Sequence, residues 1–127
     1  MTIADWCILV ACLMPTVTVL IAKLAPAKGG RAYDNADPRR WEAEQTGWKA
    51  RAAAAQNNGF EALPLFIAAV IIAQQAGADQ GRIDELALAF IGFRIIYTAF
   101  YFANLAALRT PAWLVATGCC IAILVMR

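Results

Sequence analysis

Hydrophobic residues in this chain are gathered into four long stretches, and polar residues lie mainly in the segments between them. Each stretch approaches or exceeds the roughly 20 residues that a membrane-spanning helix requires. The runs are too long and too unalternating for the strands of a transmembrane barrel, in which successive residues face lipid and lumen in turn. The pattern therefore predicts four membrane-spanning helices, at about residues 3–23, 48–76, 83–108 and 111–126.

The ends of the predicted helices are marked by polar residues and helix breakers. Lys23 and Pro26 close the first helix, and residues 77–81 form a turn between the second and third. Thr110 and Pro111 restart the chain as the N-terminus of the fourth helix, because proline is favoured at the first helical position. The connection between the third and fourth helices is then minimal, and we expect these helices to be antiparallel neighbours.

Composition agrees with a membrane protein, since 61% of the 127 residues are hydrophobic and 16% are charged. Ordinary soluble domains have about 45–50% and 25%, respectively. Four spans of about 20 residues leave no room for a large extramembrane domain. We expect one all-α membrane domain over residues 1–127, built as a four-helix bundle.

The residue inventory narrows the possible chemistry. The chain has no histidine, which removes the commonest zinc ligand and the usual general base. Its four cysteines lie in apolar stretches without C-x-x-C spacing, and we interpret them as small buried hydrophobes. We predict no metal site. The net charge of +2 gives no basis for a nucleic-acid partner, and none is predicted.

Lysine and arginine are distributed unevenly between the two sides of the predicted bundle. One side has only Arg82 and Arg127, against eight residues on the other. The eight are Lys23, Lys28, Arg31, Arg39, Arg40, Lys49, Arg51 and Arg109. The positive-inside rule then places the long first loop in the cytoplasm and both termini outside. Tryptophans are expected to anchor both interfaces, Trp6 outside and Trp41, Trp48 and Trp113 inside.

Polar residues inside the spans form two helical stripes. They are Arg51, Asn58 and Glu61 on the second helix and Arg94, Tyr97, Tyr101 and Asn104 on the third. A charge in a span costs about 2.5–3.5 kcal/mol on insertion scales, so Glu61 and Arg94 need partners and are predicted to pair with each other. Because the third helix runs back toward the cytoplasm, the stripes face each other and form a polar pocket open to that side.

The stripes have two interpretations. Such groups can hydrogen-bond between helices without any ligand. They can also bind one, and guanidinium, carboxylate and amide groups in one pocket match a small zwitterion with several carboxylates. The residues alone leave both interpretations open.

Two motifs carry a resemblance to a known family. The segment RAAAAQNNGFEALPLF, residues 51–66, resembles the signature of the MAPEG family, the membrane-associated proteins in eicosanoid and glutathione metabolism. Its N-x-x-E-x-x-P core is Asn58, Glu61 and Pro64. The segment RIIYTAFYFANLAALRTPAW, residues 94–113, is similar to the third helix and following turn of the bacterial branch. The match in order, length and helix count covers nearly the whole chain.

The resemblance implies a homotrimer of four-helix protomers, with glutathione as co-substrate between neighbouring subunits near the cytoplasmic face. It implies that the tripeptide is held by Gln56, Asn58, Glu61, Arg94, Tyr97 and Tyr101. Arg109 corresponds to the arginine that would stabilise the glutathione thiolate, and Tyr101 is placed with it in the catalytic group.

One position departs from the family pattern. Glutathione-using members typically carry an arginine four residues before the motif asparagine, and this chain has Ala54 there. Arg51 lies one helical turn earlier. The clamp for one carboxylate is therefore missing, or is supplied by Arg51 or by a basic residue of the first loop.

The leading functional prediction is a glutathione-dependent transferase or peroxidase in the bacterial inner membrane. Its substrate would be a small lipophilic electrophile that enters from the lipid. The alternative is a non-catalytic or orphan MAPEG-like protein that binds a lipid or a partner. A small multidrug transporter is disfavoured, because proteins of that type have a membrane-embedded glutamate in helix one. The only acidic residue in the first predicted helix of this chain is Asp5, at its outer end. The electrophile itself is not identified.

Overall fold

A computed structural model describes residues 1–27 and 31–126, and these residues form five helices and no strand. The bounds are Ile3–Leu24 (α1), Pro38–Ala43 (α2), Gly47–Gln75 (α3), Gln80–Phe102 (α4) and Ala106–Leu124 (α5). All except α2 are long and apolar enough to cross a membrane. The predicted all-α fold with four spans is confirmed, and the chain is a multi-pass membrane protein. Lys28 and Arg127, two of the basic residues used to predict the orientation, lie outside the described residues.

The helices are arranged with α3 and α4 at the centre. α1 packs against both of them, α5 packs against both of them, and no contact joins α1 to α5 within the described residues. The rings of Phe66 and Phe90 stack between α3 and α4, with centroids 4.0 Å apart. Small residues at the helix seams allow the backbones to approach closely. The buried alanines of the main core cluster are Ala4, Ala11, Ala69, Ala73, Ala87 and Ala116.

A close contact between α1 and α3 lies beside the predicted site. A Cβ atom added to Gly59 would lie 2.8 Å from Cγ of Pro15, so only glycine fits without a shift of the proline ring. Pro15 lies within α1, where it cannot donate a backbone hydrogen bond. Gly59 directly follows Asn58, so this contact lies next to a residue of the predicted site.

A polar network joins three helices at the end of the bundle that holds the N-terminus. Oδ1 of Asp84 accepts hydrogen bonds from the Ala4 N–H and from Gln80, each 2.8 Å long. The Ala4 N–H lies in the first turn of α1 and has no partner within its own helix. Gln74, near the end of α3, donates to Oδ1 of Asp5 at 3.2 Å. These contacts bind α1, α3 and α4 together far from the polar stripes.

The part of the first loop that contains α2 is folded against the bundle. Trp41 of α2 is 2% exposed and packs with Ala22 of α1 and Ala52 of α3. The prediction that Trp41 anchors the chain at the membrane interface is therefore wrong, because its ring fills a gap between two helices. Trp48 and Trp113 keep partly exposed rings.

The predicted third helix, residues 83–108, is wrong at its C-terminal end. Asn104 has a positive φ of 59°, a left-handed conformation that asparagine adopts more readily than most residues. The Asn104 N–H donates to the Tyr101 carbonyl at 3.2 Å, and the Leu105 N–H donates to the Phe100 carbonyl at 2.9 Å. Together these bonds form a Schellman motif, which ends α4.

The fourth spanning helix consequently begins earlier than predicted. α5 starts at Ala106, so Pro111 lies in its second turn and not at its first position. The missing N–H of Pro111 leaves the carbonyl of Ala107 without its helical partner, near the exposed end of the helix. Arg109, predicted at the end of the third helix, lies in the first turn of α5.

Candidate functional site

Four side chains of α4 and α5 form a continuous arginine–tyrosine stack. Cζ of Arg94 lies 4.4 Å from the ring centroid of Tyr97. The rings of Tyr97 and Tyr101 meet edge to face, with centroids 5.6 Å apart. Cζ of Arg109 lies 4.1 Å from the ring centroid of Tyr101. Spacings of three and four residues place the α4 members on one face, and α5 returns Arg109 to the same row.

The partner of Arg94 is an amide. Arg94 is 4% exposed, and its Nη1 donates to Oδ1 of Asn58 at 2.8 Å. The predicted ion pair between Glu61 and Arg94 is wrong, since no salt bridge in the described part of the chain includes either residue. Asn58 and Glu61 lie only about 60° apart around α3, but Asn58 contacts Arg94 of α4 while Glu61 is exposed at the protein surface.

A cavity of about 220 Å³ lies between α3, α4 and α5. Its lining includes polar groups of Asn58, Glu61 and Arg94 and apolar groups of Leu65, Phe90 and Trp113. Arg109 lies one helical turn before Trp113 on the same face of α5. The cavity therefore combines a carboxylate, an amide and a guanidinium with an apolar wall, beside the arginine–tyrosine stack.

Three further residues were predicted at the site, Arg51, Asn104 and Gln56, and none of them lines the cavity. Arg51 joins the end of α4, where its Nε donates to the Tyr101 carbonyl at 3.0 Å and its Nη2 to the Phe102 carbonyl at 3.1 Å. Asn104, predicted to line the pocket, is exposed and forms the turn. Gln56 lies two residues from Asn58, about 200° around α3, and therefore on the opposite face.

Sequence reasoning missed the contribution of α5 to the cavity. Trp113, Thr117 and Cys120 all line it. Their positions four, eight and eleven residues after Arg109 repeat at the helical period, which was the available signal. The predicted end of the third helix at residue 108 hid this pattern, because it assigned Arg109 to a different element.

The electrostatics of the site favour an anion. Within the described residues, neither Arg94 nor Arg109 belongs to a salt bridge. Arg109 also lies at the positive end of the α5 dipole, where a cation destabilises the helix. A bound anion would offset both charges. No group of three or more His, Cys, Asp or Glu in the described residues could hold a metal ion.

The fold and the site define a small multi-pass membrane protein with a basic, aromatic pocket between its helices. The MAPEG family model matches residues 3–127, and the chain belongs to the MAPEG family. The resemblance seen in the two motifs is confirmed at the family level. Comparison with curated proteins and with solved structures gives no match. Membership associates the protein with the membrane-bound, glutathione-related transferase and peroxidase functions of this family.

Proposed function

We propose that the protein is a glutathione-dependent transferase or peroxidase of the bacterial branch of the MAPEG family, acting on lipophilic electrophiles. The observation that carries the proposal is the arginine–tyrosine stack beside the cavity, in which Arg94 and Arg109 form no salt bridge within the described residues. Glutathione has two carboxylates, one ammonium group and a thiol. It supplies the negative charge that the stack can bind.

The cavity offers a complement to one carboxylate and to the ammonium group of the tripeptide. The Arg94 guanidinium, oriented by Asn58, can donate charge-assisted hydrogen bonds to a carboxylate. Glu61, whose side chain is exposed beside the cavity, can accept from the ammonium group. Tyr97, whose ring stacks against the Arg94 guanidinium, is also proposed to contact the tripeptide. Arg51 was also predicted to bind glutathione, but its guanidinium donates to two carbonyls of α4, and we do not propose it as a glutathione-binding residue.

The size of the cavity and the position of Gln56 support a site shared between subunits. Small-molecule pockets usually measure about 300–1,000 Å³, whereas this cavity measures about 220 Å³ in one protomer. A neighbouring copy would extend it. Gln56 faces away from Asn58 and would contact the tripeptide held by the adjacent subunit. MAPEG members are typically homotrimers, and we propose that this chain is one too.

The proposed chemistry begins with ionisation of the thiol. A cysteine thiol has a pKa of about 8.5, and a fixed cation in a site of low dielectric favours its thiolate. Arg109 supplies that cation, and Tyr101 holds the guanidinium by stacking against it. The thiolate sulfur then forms a bond to an electrophilic carbon as the leaving group departs. The thiol proton passes to water.

Glutathione binding to the purified protein in detergent tests the proposal. We expect calorimetric titration to show binding of glutathione and of the thiol-free tripeptide γ-glutamyl-alanyl-glycine. Asn58→Ala should weaken both affinities about tenfold, because Arg94, which would bind a carboxylate of either tripeptide, loses the hydrogen bond that orients it. The exposed neighbour Asn57 provides the control variant Asn57→Ala. No binding of either tripeptide would refute the proposal and favour a non-catalytic protein that binds a lipid or a partner.

A further inference from the structure

Arg51 connects the beginning of α3 to the end of α4. Its Nε and Nη2 donate to the carbonyls of Tyr101 and Phe102, at 3.0 and 3.1 Å. These carbonyls lie in the last turn of α4, where carbonyls lack the N–H of a following helical turn. The Tyr101 carbonyl also accepts from the Asn104 N–H, so Arg51 is its second donor. Arg51 therefore supplies a charge-assisted cap from another helix.

The same turn separates the two residues of the proposed thiolate site. Only the short connection at residues 103–105 lies between α4 and α5. Tyr101 precedes this connection and Arg109 follows it, and their side chains meet across it at 4.1 Å. The position of the Arg109 guanidinium therefore depends on the geometry of a turn whose α4 side is bonded to Arg51.

Apolar contacts hold the same region. The rings of Trp48 and Phe102 meet edge to face, with centroids 6.1 Å apart. Phe102 also packs against the cluster of Ala22, Trp41 and Ala52. The end of α4 is thus held by the beginning of α3 and by the apolar cluster that includes Trp41 of α2.

We infer that Arg51 is a positioning residue, which holds the turn between α4 and α5 so that the Arg109 guanidinium stays over Tyr101. This inference rests on the proposed function and changes the role that the sequence offered for Arg51. A carboxylate clamp requires donors directed at the ligand, whereas two of the three guanidinium nitrogens of Arg51 already serve backbone carbonyls.

Hydrogen exchange of the ligand-free protein tests the structural part of the inference. In Arg51→Gln, amides of residues 103–109 should exchange about tenfold faster or more, because the charge-assisted bonds to α4 are lost. Arg51→Lys keeps a donor and a charge and should lie between the wild type and Arg51→Gln. Arg39→Gln, an exposed position in α2, is the control and should leave this segment unchanged. Unchanged exchange in Arg51→Gln would overturn the inference.

Ligand titrations of the same variants separate positioning from clamping. We expect Arg51→Gln to bind the thiol-free tripeptide within about twofold of the wild type, because the ligand loses no direct contact. The ultraviolet absorbance of thiolate per bound glutathione should fall, with partial recovery in Arg51→Lys. Equal weakening for both tripeptides with unchanged thiolate absorbance would identify Arg51 as a carboxylate clamp and overturn the inference. If the wild type binds no glutathione, the proposed function fails, and the exchange measurement alone decides the role of Arg51.

Discussion

At the scale of single residues, the site depends on a buried arginine bonded to an amide. The Asn58 oxygen satisfies one donor of Arg94 without neutralising its charge, and the Tyr97 ring covers the guanidinium. Sequence spacing placed Asn58 and Glu61 on neighbouring parts of one face. It could not determine which of them meets Arg94, because a hydrogen bond of 2.8 Å depends on helix rotation that the apolar pattern does not fix.

Substitution of these two residues should have different consequences for stability. Asn58→Ala should lower the free energy of unfolding by about 1–3 kcal/mol, because it strands a donor of the buried Arg94. Glu61→Gln should change it by less than about 0.5 kcal/mol, since Glu61 is exposed, while it still weakens glutathione binding. Unfolding of the ligand-free protein in detergent measures both. If Glu61→Gln is as destabilising as Asn58→Ala, an ion pair between Glu61 and Arg94 exists after all.

At the scale of elements, the sequence predicted the four spans but not the breaks between them. Twenty apolar residues give a strong signal, and α3 begins and ends within one residue of the predicted range of 48–76. The left-handed turn at Asn104 occupies very few residues and interrupts an apolar run without changing its hydropathy. Trp41 could be identified as an aromatic residue in a polar loop, but its burial depends on contacts with two distant helices.

Adding a single methyl group at Gly59 tests the contact between α1 and α3. Gly59→Ala should lower the free energy of unfolding by about 1–3 kcal/mol, because the new Cβ would overlap the rigid ring of Pro15. Gly92→Ala is the matched control in α4, where an added Cβ meets no atom within 4 Å. It should be neutral or stabilising by up to about 1 kcal/mol. Equal effects of the two substitutions in thermal unfolding would show that this contact is loose.

At the scale of the whole molecule, charge distribution carries information that helix packing does not. The apolar surfaces of the spans are similar, so periodicity could not show that α3 and α4 lie at the centre with α1 and α5 on different sides. Lysine and arginine are nevertheless concentrated at one end of the bundle, and Arg109 keeps its place at that end although it belongs to α5. We therefore propose that this end lies in the cytoplasm.

Cysteine labelling tests this orientation. A Cys-free variant that carries Asn35→Cys has its only thiol at an exposed position of the first loop. In intact cells a membrane-impermeant thiol reagent should leave it unlabelled, and permeabilisation should allow labelling, because eight basic residues against two favour the cytoplasm for this loop. Labelling in intact cells would reverse the orientation.

The most direct test of glutathione activation is the thiolate absorbance of bound glutathione in Arg109→Leu. Arg82→Leu, at an exposed arginine near the other end of the bundle, is the matched control. We expect the wild type and the control to show the thiolate band on titration with glutathione. Arg109→Leu should bind the tripeptide but lose the band, and turnover of a generic aryl halide should fall about 10²-fold or more, as expected when one preorganised electrostatic group is removed. An unchanged band with near-normal turnover in Arg109→Leu would contradict the thiolate role and reduce this residue to an anchor at the membrane interface.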